Sequence, residues 1–448
     1  MGPVRKTSSF RLFAFIAGGF ALVAAFLFFP GSAGAQSPGS ATYRLAGLKF
    51  TGLSRISEAQ IASFTGLKKD DKVTTDQLLE IQKRLSKSGV FDDVAYNFKT
   101  LGTDLTVEFD FTESSNLARC VFDNFIWFSD ADLDKTLRAN VALYNGAVPP
   151  AGATLHDAID ALQTLVRTKA PAAKVDFTTF ADSPTGSTSA IIFHITGVPM
   201  PVQSITFIGA TAIPEQNLES AMTEAFGQDF SISRLTDIAS KGLIPLFHNK
   251  GYWRVKFSDI TPMLPTTPAG GTADSFPVSA AITIDQGLQY NWSKAVWSGN
   301  HAFPNDELDR NLHMQPIEVA NEYKIEAGLN AVRLDYLTHG YLDSSVQTKM
   351  LLDDTSHLAT DQVTIQEGPQ YHMAAVQFMG VPPRVADALA KKWILKPGDV
   401  FNPTYSQTFI DTVAGHEIAS QGLRLTRATI RQQTNKSAHT VSLTLVFQ

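Results

Sequence analysis

Residues 85–94 read Leu85-Ser86-Lys87-Ser88-Gly89-Val90-Phe91-Asp92-Asp93-Val94. Upstream, Leu78, Leu79, Ile81, Gln82 and Leu85 follow spacings of three and four, the period of an amphipathic helix. Gly89 just past that run suits a left-handed helix cap. An apolar residue after the cap is expected to tuck back onto the helix, and a hairpin follows over Asp93–Lys99 and Leu105–Thr112. The same signature recurs as Lys250-Gly251-Tyr252, His339-Gly340-Tyr341 and Gln421-Gly422-Leu423.

A second repeated element is a short alternating strand that ends in glycine. Leu48-Lys49-Phe50-Thr51-Gly52 is the first copy, followed by strands ending in Gly209, Gly299 and Gly380. The last three lie 90 and 81 residues apart, and Gly52 lies 157 residues before Gly209, room for one further copy. That copy is expected near Val121-Phe122-Asp123-Asn124, with Asn124 replacing glycine, since both tolerate a positive φ. A short capped helix follows each strand. Ser57-Glu58-Ala59-Gln60 has the form of a capping box, Ser129 precedes another helix, and Pro214, Pro304 and Pro382 suit helix starts. Second helices are expected over Leu155–Val166, Leu235–Phe247, Ile325–Tyr336 and Phe409–Ala419, and the last hairpin over Arg424–Gln432 and Thr440–Phe447. The fold class is α+β: tandem βααββ modules, each a three-stranded mixed sheet with two helices on one face. The boundaries are 43–114, 117–199 (the degenerate copy), 201–288, 289–369 and 371–448. Pro262–Pro277 reads as a long hairpin loop inside the third module.

The strand ending in Phe50-Thr51-Gly52, the helix pair and the L-x-x-x-G-x-F-x-x-V stretch from Leu85 to Val94 resemble the polypeptide-transport-associated (POTRA) domain. The resemblance covers residues 43–448, and five modules in series are similar to the periplasmic arm of outer-membrane barrel-assembly factors. It implies that the third strand of each module is central and the second lies at an open edge. Members normally continue into a membrane barrel built from many strands of about ten residues. The chain here stops at Gln448, at the end of the last predicted strand, so a stand-alone arm or a truncated or split gene is expected.

An open edge carries unpaired N–H and C=O groups, to which an extended peptide can add as a further strand. The resemblance implies that the peptides so bound are unfolded outer-membrane proteins, handled in a chaperone-like way. The expected edges are Asp93–Lys99, Tyr252–Ile260 and Leu342–Lys349. Asp93, Val94, Tyr96, Tyr252, Trp253, Arg254, Lys256, Tyr341 and Ser344 are the candidate contacts, set against packing in the core or between modules. Docking onto a separate barrel protein or assembly lipoproteins is the rival reading.

The N-terminus carries Arg5, Lys6 and Arg11, then an apolar run Leu12–Phe29, then Ala33-Gly34-Ala35 before Gln36. That is the plan of a secretory signal peptide over residues 1–35, and it places the mature chain in the periplasm, associated with the outer membrane through partners. An uncleaved run would instead anchor the chain in the inner membrane, as in a division protein with a single such module.

Net charge is −6, with no long basic run, which argues against nucleic acid. The single cysteine, Cys120, forms neither an intrachain disulfide nor a cysteine zinc site. Asp130, Asp132 and Asp134 mimic the start of a calcium loop, but Lys135 and Val141 stand at its sixth and twelfth positions. No phosphate loop, nucleophile elbow or zinc helix is present. Neither catalytic residues, cofactor, metal nor small-molecule substrate is expected.

Overall fold

The computed structural model describes residues 41–184, 186–263 and 275–448. The signal-peptide reading and most of the Pro262–Pro277 loop lie outside the described residues. Five small sheets succeed one another along the chain.

The first unit contains β1 (Thr42–Thr51), α1 (Glu58–Thr65), β2 (Lys72–Thr74), α2 (Thr75–Lys87), β3 (Phe91–Leu101) and β4 (Asp104–Glu113). The second contains β5 (Ala118–Phe122), α3 (Asp130–Asn140), β6 (Ala147–Val148), α4 (Ala153–Arg167), β7 (Lys174–Ala181) and β8 (Thr188–Thr196). The third has β9 (Val202–Ile208), α5 (Glu215–Ala221), α6 (Ile232–His248), β10 (Lys256–Met263) and β11 (Val278–Asp285). The fourth has β12 (Asn291–Ser298), α7 (Asn305–Leu312), α8 (Glu322–Thr338), β13 (Ser345–Asp353) and β14 (Leu358–Gln366). The fifth has β15 (His372–Met379), α9 (Pro383–Lys392), α10 (Pro403–Phe409), a π-helical turn (Ile410–Ala414), α11 (Gly415–Ser420), β16 (Ala428–Asn435) and β17 (Thr440–Phe447).

In every sheet the last strand is central. It runs parallel to the first strand and antiparallel to the next-to-last, which lies at the edge. The three-strand expectation holds for the last three units. The first two have four strands, because β2 and β6 pair with the free edge of β1 and β5. In the later units that pairing shrinks to one bridge each, and at Pro201 one partner has no N–H to give. The second helix of the last unit starts earlier than Phe409: Asn402 caps the run and Pro403 occupies its first turn.

Local chemistry fixes these elements. Ser57 and Ser129 each close a capping box. Gly52, Gly89, Gly209, Gly251, Gly299, Gly340, Gly380 and Gly422 all have φ between 75° and 89°. At Gly52, Gly209, Gly299 and Gly380 a Cβ would collide with a carbonyl of the central strand. Asn124 departs from the expectation, since it does not take positive φ. Its buried side chain instead donates to Ile195 O (3.0 Å) and accepts from Ile195 N–H (2.6 Å). The side-chain amide supplies the link to the central strand, so no left-handed turn is needed.

Buried apolar residues form four clusters. One spans the second and third units without a break, from Ala118 to Ile284. Leu143 of the second unit joins the core of the first, Trp253 of the third packs against the fourth, and Leu342 of the fourth packs against the fifth.

A left-handed residue ahead of the second helix recurs as Asp70, Gly227, Ile317 and Gly398, with φ of 72°, 77°, 72° and 94°. Each donates its N–H to the first strand, to Leu45, Val202, Trp292 and Met373 O respectively, at 2.8–2.9 Å. A β-branched residue pays about 1–2 kcal/mol in this conformation, and Ile317 is 75% exposed, so little packing offsets that cost. Ile317→Gly should stabilise the fourth unit by roughly 0.5–1 kcal/mol after the glycine's extra unfolded-state entropy. Urea unfolding followed by tryptophan emission, with Trp292 and Trp297 buried in this unit, checks it. Ile317→Ala, which keeps the Cβ, should give no such gain.

Candidate polypeptide-binding edges

The next-to-last strand of each sheet in chain order (β3, β7, β10, β13 and β16) has one hydrogen-bonded neighbour. Antiparallel residues alternate between facing the partner strand and facing away. The direction can be read from the central strand. In β14, Ile365 O points at Gly299 beside β12. Gln366, Thr364 and Gln362 therefore face β13, where they pair with Ser345, Gln347 and Lys349. Val346, Thr348, Met350 and Leu352 turn their N–H and C=O groups to the open side. β13 is nine residues long and its register has no shift.

The other edges are less open. In β3 the same reasoning from Phe111 O turns Val94, Tyr96, Phe98 and Thr100 outward. Val94 O is already taken by Gln82 Nε2 of α2 at 2.8 Å. In the second unit Gln163 of α4 accepts from Val175 N–H (2.9 Å) and donates to Ala173 O (2.9 Å). In β10 the register shifts between Phe257 and Asp259. Ile284 O faces Gly209, which puts Pro262 in the outward row, where it offers no donor. β16 has a regular register over eight residues. The first strands β1, β9, β12 and β15 each carry a register shift near their start, a feature that blunts an edge.

The sequence-named residues divide accordingly. Asp93 lies on β3 facing the ladder, Val94 is buried, and Tyr96 is half-buried against Phe109 (5.6 Å between ring centroids). Lys256 opens β10. Tyr252, Trp253 and Arg254 lie ahead of that strand, not on it, and Tyr341 and Ser344 lie ahead of β13. The helix cap consumes these positions: Tyr252 N–H donates to Phe247 O and Tyr341 N–H to Tyr336 O, both at 3.0 Å. Tyr252 and Tyr341 then pack edge-on against Phe247 and Tyr336. Trp253 stacks on His248 and donates its indole N–H to Ala320 O of the next unit at 2.7 Å. Arg254 pairs with Asp354 at 2.9 Å. These side chains hold the core and the joints.

Residues 43–114 and 290–368 match the POTRA family model, described as "Surface antigen variable number repeat". Those two modules are POTRA domains. A Treponema pallidum protein named "Putative outer membrane protein assembly factor" is 23% identical over 125 residues, 28% of this chain. The chain spans 15% of that relative's length. Solved structures that it is similar to include BamA POTRA3-5 of Haemophilus influenzae, at 17% identity and TM-score 0.37, with 56% of this chain and 96% of that one covered. POTRA1-3 of Omp85 from Anabaena matches at 16% identity and TM-score 0.24, covering 55% of this chain and 94% of that one. The chain thus carries two POTRA regions, and over 125 residues it is similar to that putative outer-membrane protein assembly factor.

Two buried carboxylates went unremarked in the sequence. Burial alone would raise Glu113, but the N–H groups of Ile56, Ser54 and Arg55 and the Ser54 hydroxyl outweigh it and hold the group near about 2. Gln286 and Glu367 accept from the same turn in the third and fourth units. Asp361 lies on central strand β14 opposite Met350, is 1% exposed, and its Oδ1 has no hydrogen-bond partner. Burial pushes Asp361 up to about 6, against the Lys349 backbone, with repulsion from Glu326 adding to the rise. Burial also pushes the Cys120 thiol up to about 12, so it stays protonated and unreactive at neutral pH. Among the described residues, no group of three or more His, Cys, Asp or Glu could hold a metal ion, and no helix is long and apolar enough to cross a membrane.

The two carboxylates have opposite pH signs. Glu113 contributes stability above the ordinary carboxylate range and loses it as pH falls toward about 2. Asp361 binds its proton more tightly when folded, so its contribution is present in acid and is lost as pH rises through about 6. Asp361→Asn should therefore stabilise the fourth unit by about 1–2 kcal/mol at neutral pH, and add little near pH 4. Amide exchange of β13 and β14 at both pH values checks this.

Proposed function

We propose that the chain is a periplasmic assembly factor of five POTRA modules (43–114, 117–199, 201–288, 289–369 and 371–448) that binds unfolded outer-membrane polypeptides by strand addition. The observation that carries this reading is the outward row of β13: Val346, Thr348, Met350 and Leu352, in a regular register with no proline. Main-chain bonds give affinity with little demand on client sequence. β16 is the second such edge.

Thr348 is exposed, and its N–H belongs to the outward row, so proline there removes a client-facing donor without breaking the ladder. The purified mature chain and its Thr348→Pro variant are compared for capture of urea-unfolded barrel polypeptides, after circular dichroism shows that the variant folds. Affinity should fall about five- to tenfold, from a net value of about 1 kcal/mol per bond plus the lost extension of the strand. Unchanged capture contradicts addition at β13.

Export follows from cleavage after Ala35. N-terminal sequencing of the protein from cell envelopes should begin at Gln36. A chain that begins at Met1 makes this an anchored protein instead.

A further inference from the structure

Asp361 occupies a position that the other four modules fill with apolar side chains. It lies four residues before Ile365, whose carbonyl faces the first strand of its sheet at Gly299. Phe111, Ile284 and Phe447 stand at the same point of their central strands, and Ile195 does so through Asn124. Four residues before these come Val107, Ala280, Leu443 and Ile191, all buried. Asp361 is as deeply buried, at 1% exposure, and its Oδ1 has no hydrogen-bond partner. Burying an unpaired carboxylate costs stability. An aliphatic residue would avoid that cost, and a local rule broken without compensation in the fold points to a functional site.

The side chains around Asp361 leave it unanswered. In the register β12 presents Ala295 beside it and β13 presents Met350. Lys294 and Lys349 alternate to the opposite face of the sheet. From α8, Glu326 repels it. Arg333 of the same helix is held by Glu326 at 3.3 Å and Asn330 at 2.7 Å.

The acid also lies next to the most open edge of the chain. Met350 belongs to the row of β13 whose N–H and C=O groups face the open side, and it stands directly opposite Asp361. An antiparallel client residue bonded to Met350 would lie about 5.5 Å from it and about 10 Å from Asp361, with its side chain on the same face. A lysine stem carries its ammonium about 6 Å from Cα, and the Asp361 side chain spans most of the remainder. Arginine reaches as far, whereas shorter side chains stop above Met350. Met350 is half-buried and unbranched, so it can turn aside without moving the strand. Val346 and Leu352, on the same face of β13, are half-buried and apolar.

Resting on the reading that β13 accepts a client strand, we infer that Asp361 is a specificity-determining residue that selects extended segments carrying Lys or Arg opposite Met350, among apolar residues on the same face. The client's cation pairs with Asp361 Oδ1 beneath the added strand, where salt screens the pair little. The four modules with an aliphatic residue at this position have no such preference.

Two fluorescein-labelled strand peptides of alternating valine and threonine test this, one with lysine and one with norleucine at the central valine position. Each is titrated onto residues 36–448 and followed by anisotropy at neutral pH. The lysine peptide should bind about tenfold more tightly, the range of one hydrogen bond to a charged group. In Asp361→Asn and Asp361→Val, both shown to fold by circular dichroism, the two peptides should bind within about twofold of each other, and the norleucine peptide no more weakly than before. The last result separates a lost ion pair from a damaged edge. Equal binding to the unsubstituted protein, or a lysine preference that survives both substitutions, overturns the inference and leaves strand addition standing. Binding of neither peptide overturns strand addition at β13 and the inference with it.

Discussion

The glycine that closes the second helix of the first, third and fourth modules carries two loads at once. Its positive φ lets the helix stop and the next residue fold back onto it. Its missing side chain lets the following module approach to backbone distance, as Tyr290 O does at Gly251 and Tyr371 O at Gly340. Any other residue would strain the cap and push the next module away. Side chains then reinforce the joint: Trp253 reaches into the fourth module and Leu342 toward the fifth, while the second and third modules share one apolar core. A serial arrangement of small cores gains stability this way, because each is marginal at this size.

Placing the last strand at the centre has a direct consequence for binding. The next-to-last strand of every sheet is left with one partner, so each module would offer an edge unless something covers it. Helix glutamines cover part of it in the first two modules, and Pro262 and a register shift interrupt it in the third. The edge that remains long and regular is β13, with β16 next to it in the series. The chain's repeats are therefore alike in fold and unlike in the backbone that they present.

Much of this was legible in the sequence because the signals are local. The eight glycines, the capping box at Ser57, the long helices and the final strand Thr440–Phe447 all follow from turn chemistry and periodicity. What could not be read depends on contacts distant in sequence. Tyr252, Trp253 and Tyr341 look like strand residues, but the cap and the neighbouring module claim them. Asn124 stands where glycine is expected, and only its bonds to Ile195, 71 residues away, show how the second module dispenses with the turn. The outward row of an edge strand depends on which residues of the central strand face the far side. Asp361 left a trace, an acid in the inward register of Ala359, Val363 and Ile365, that periodicity alone could have flagged.

Amide exchange on residues 36–448, alone and mixed with a urea-unfolded barrel polypeptide diluted into buffer, tests the central claim most directly. Strand addition at the fourth module predicts new protection at Val346, Thr348, Met350 and Leu352, with β3 and β10 unchanged. Client binding that protects only the module joints, or β3 and β10 in place of β13, would contradict it.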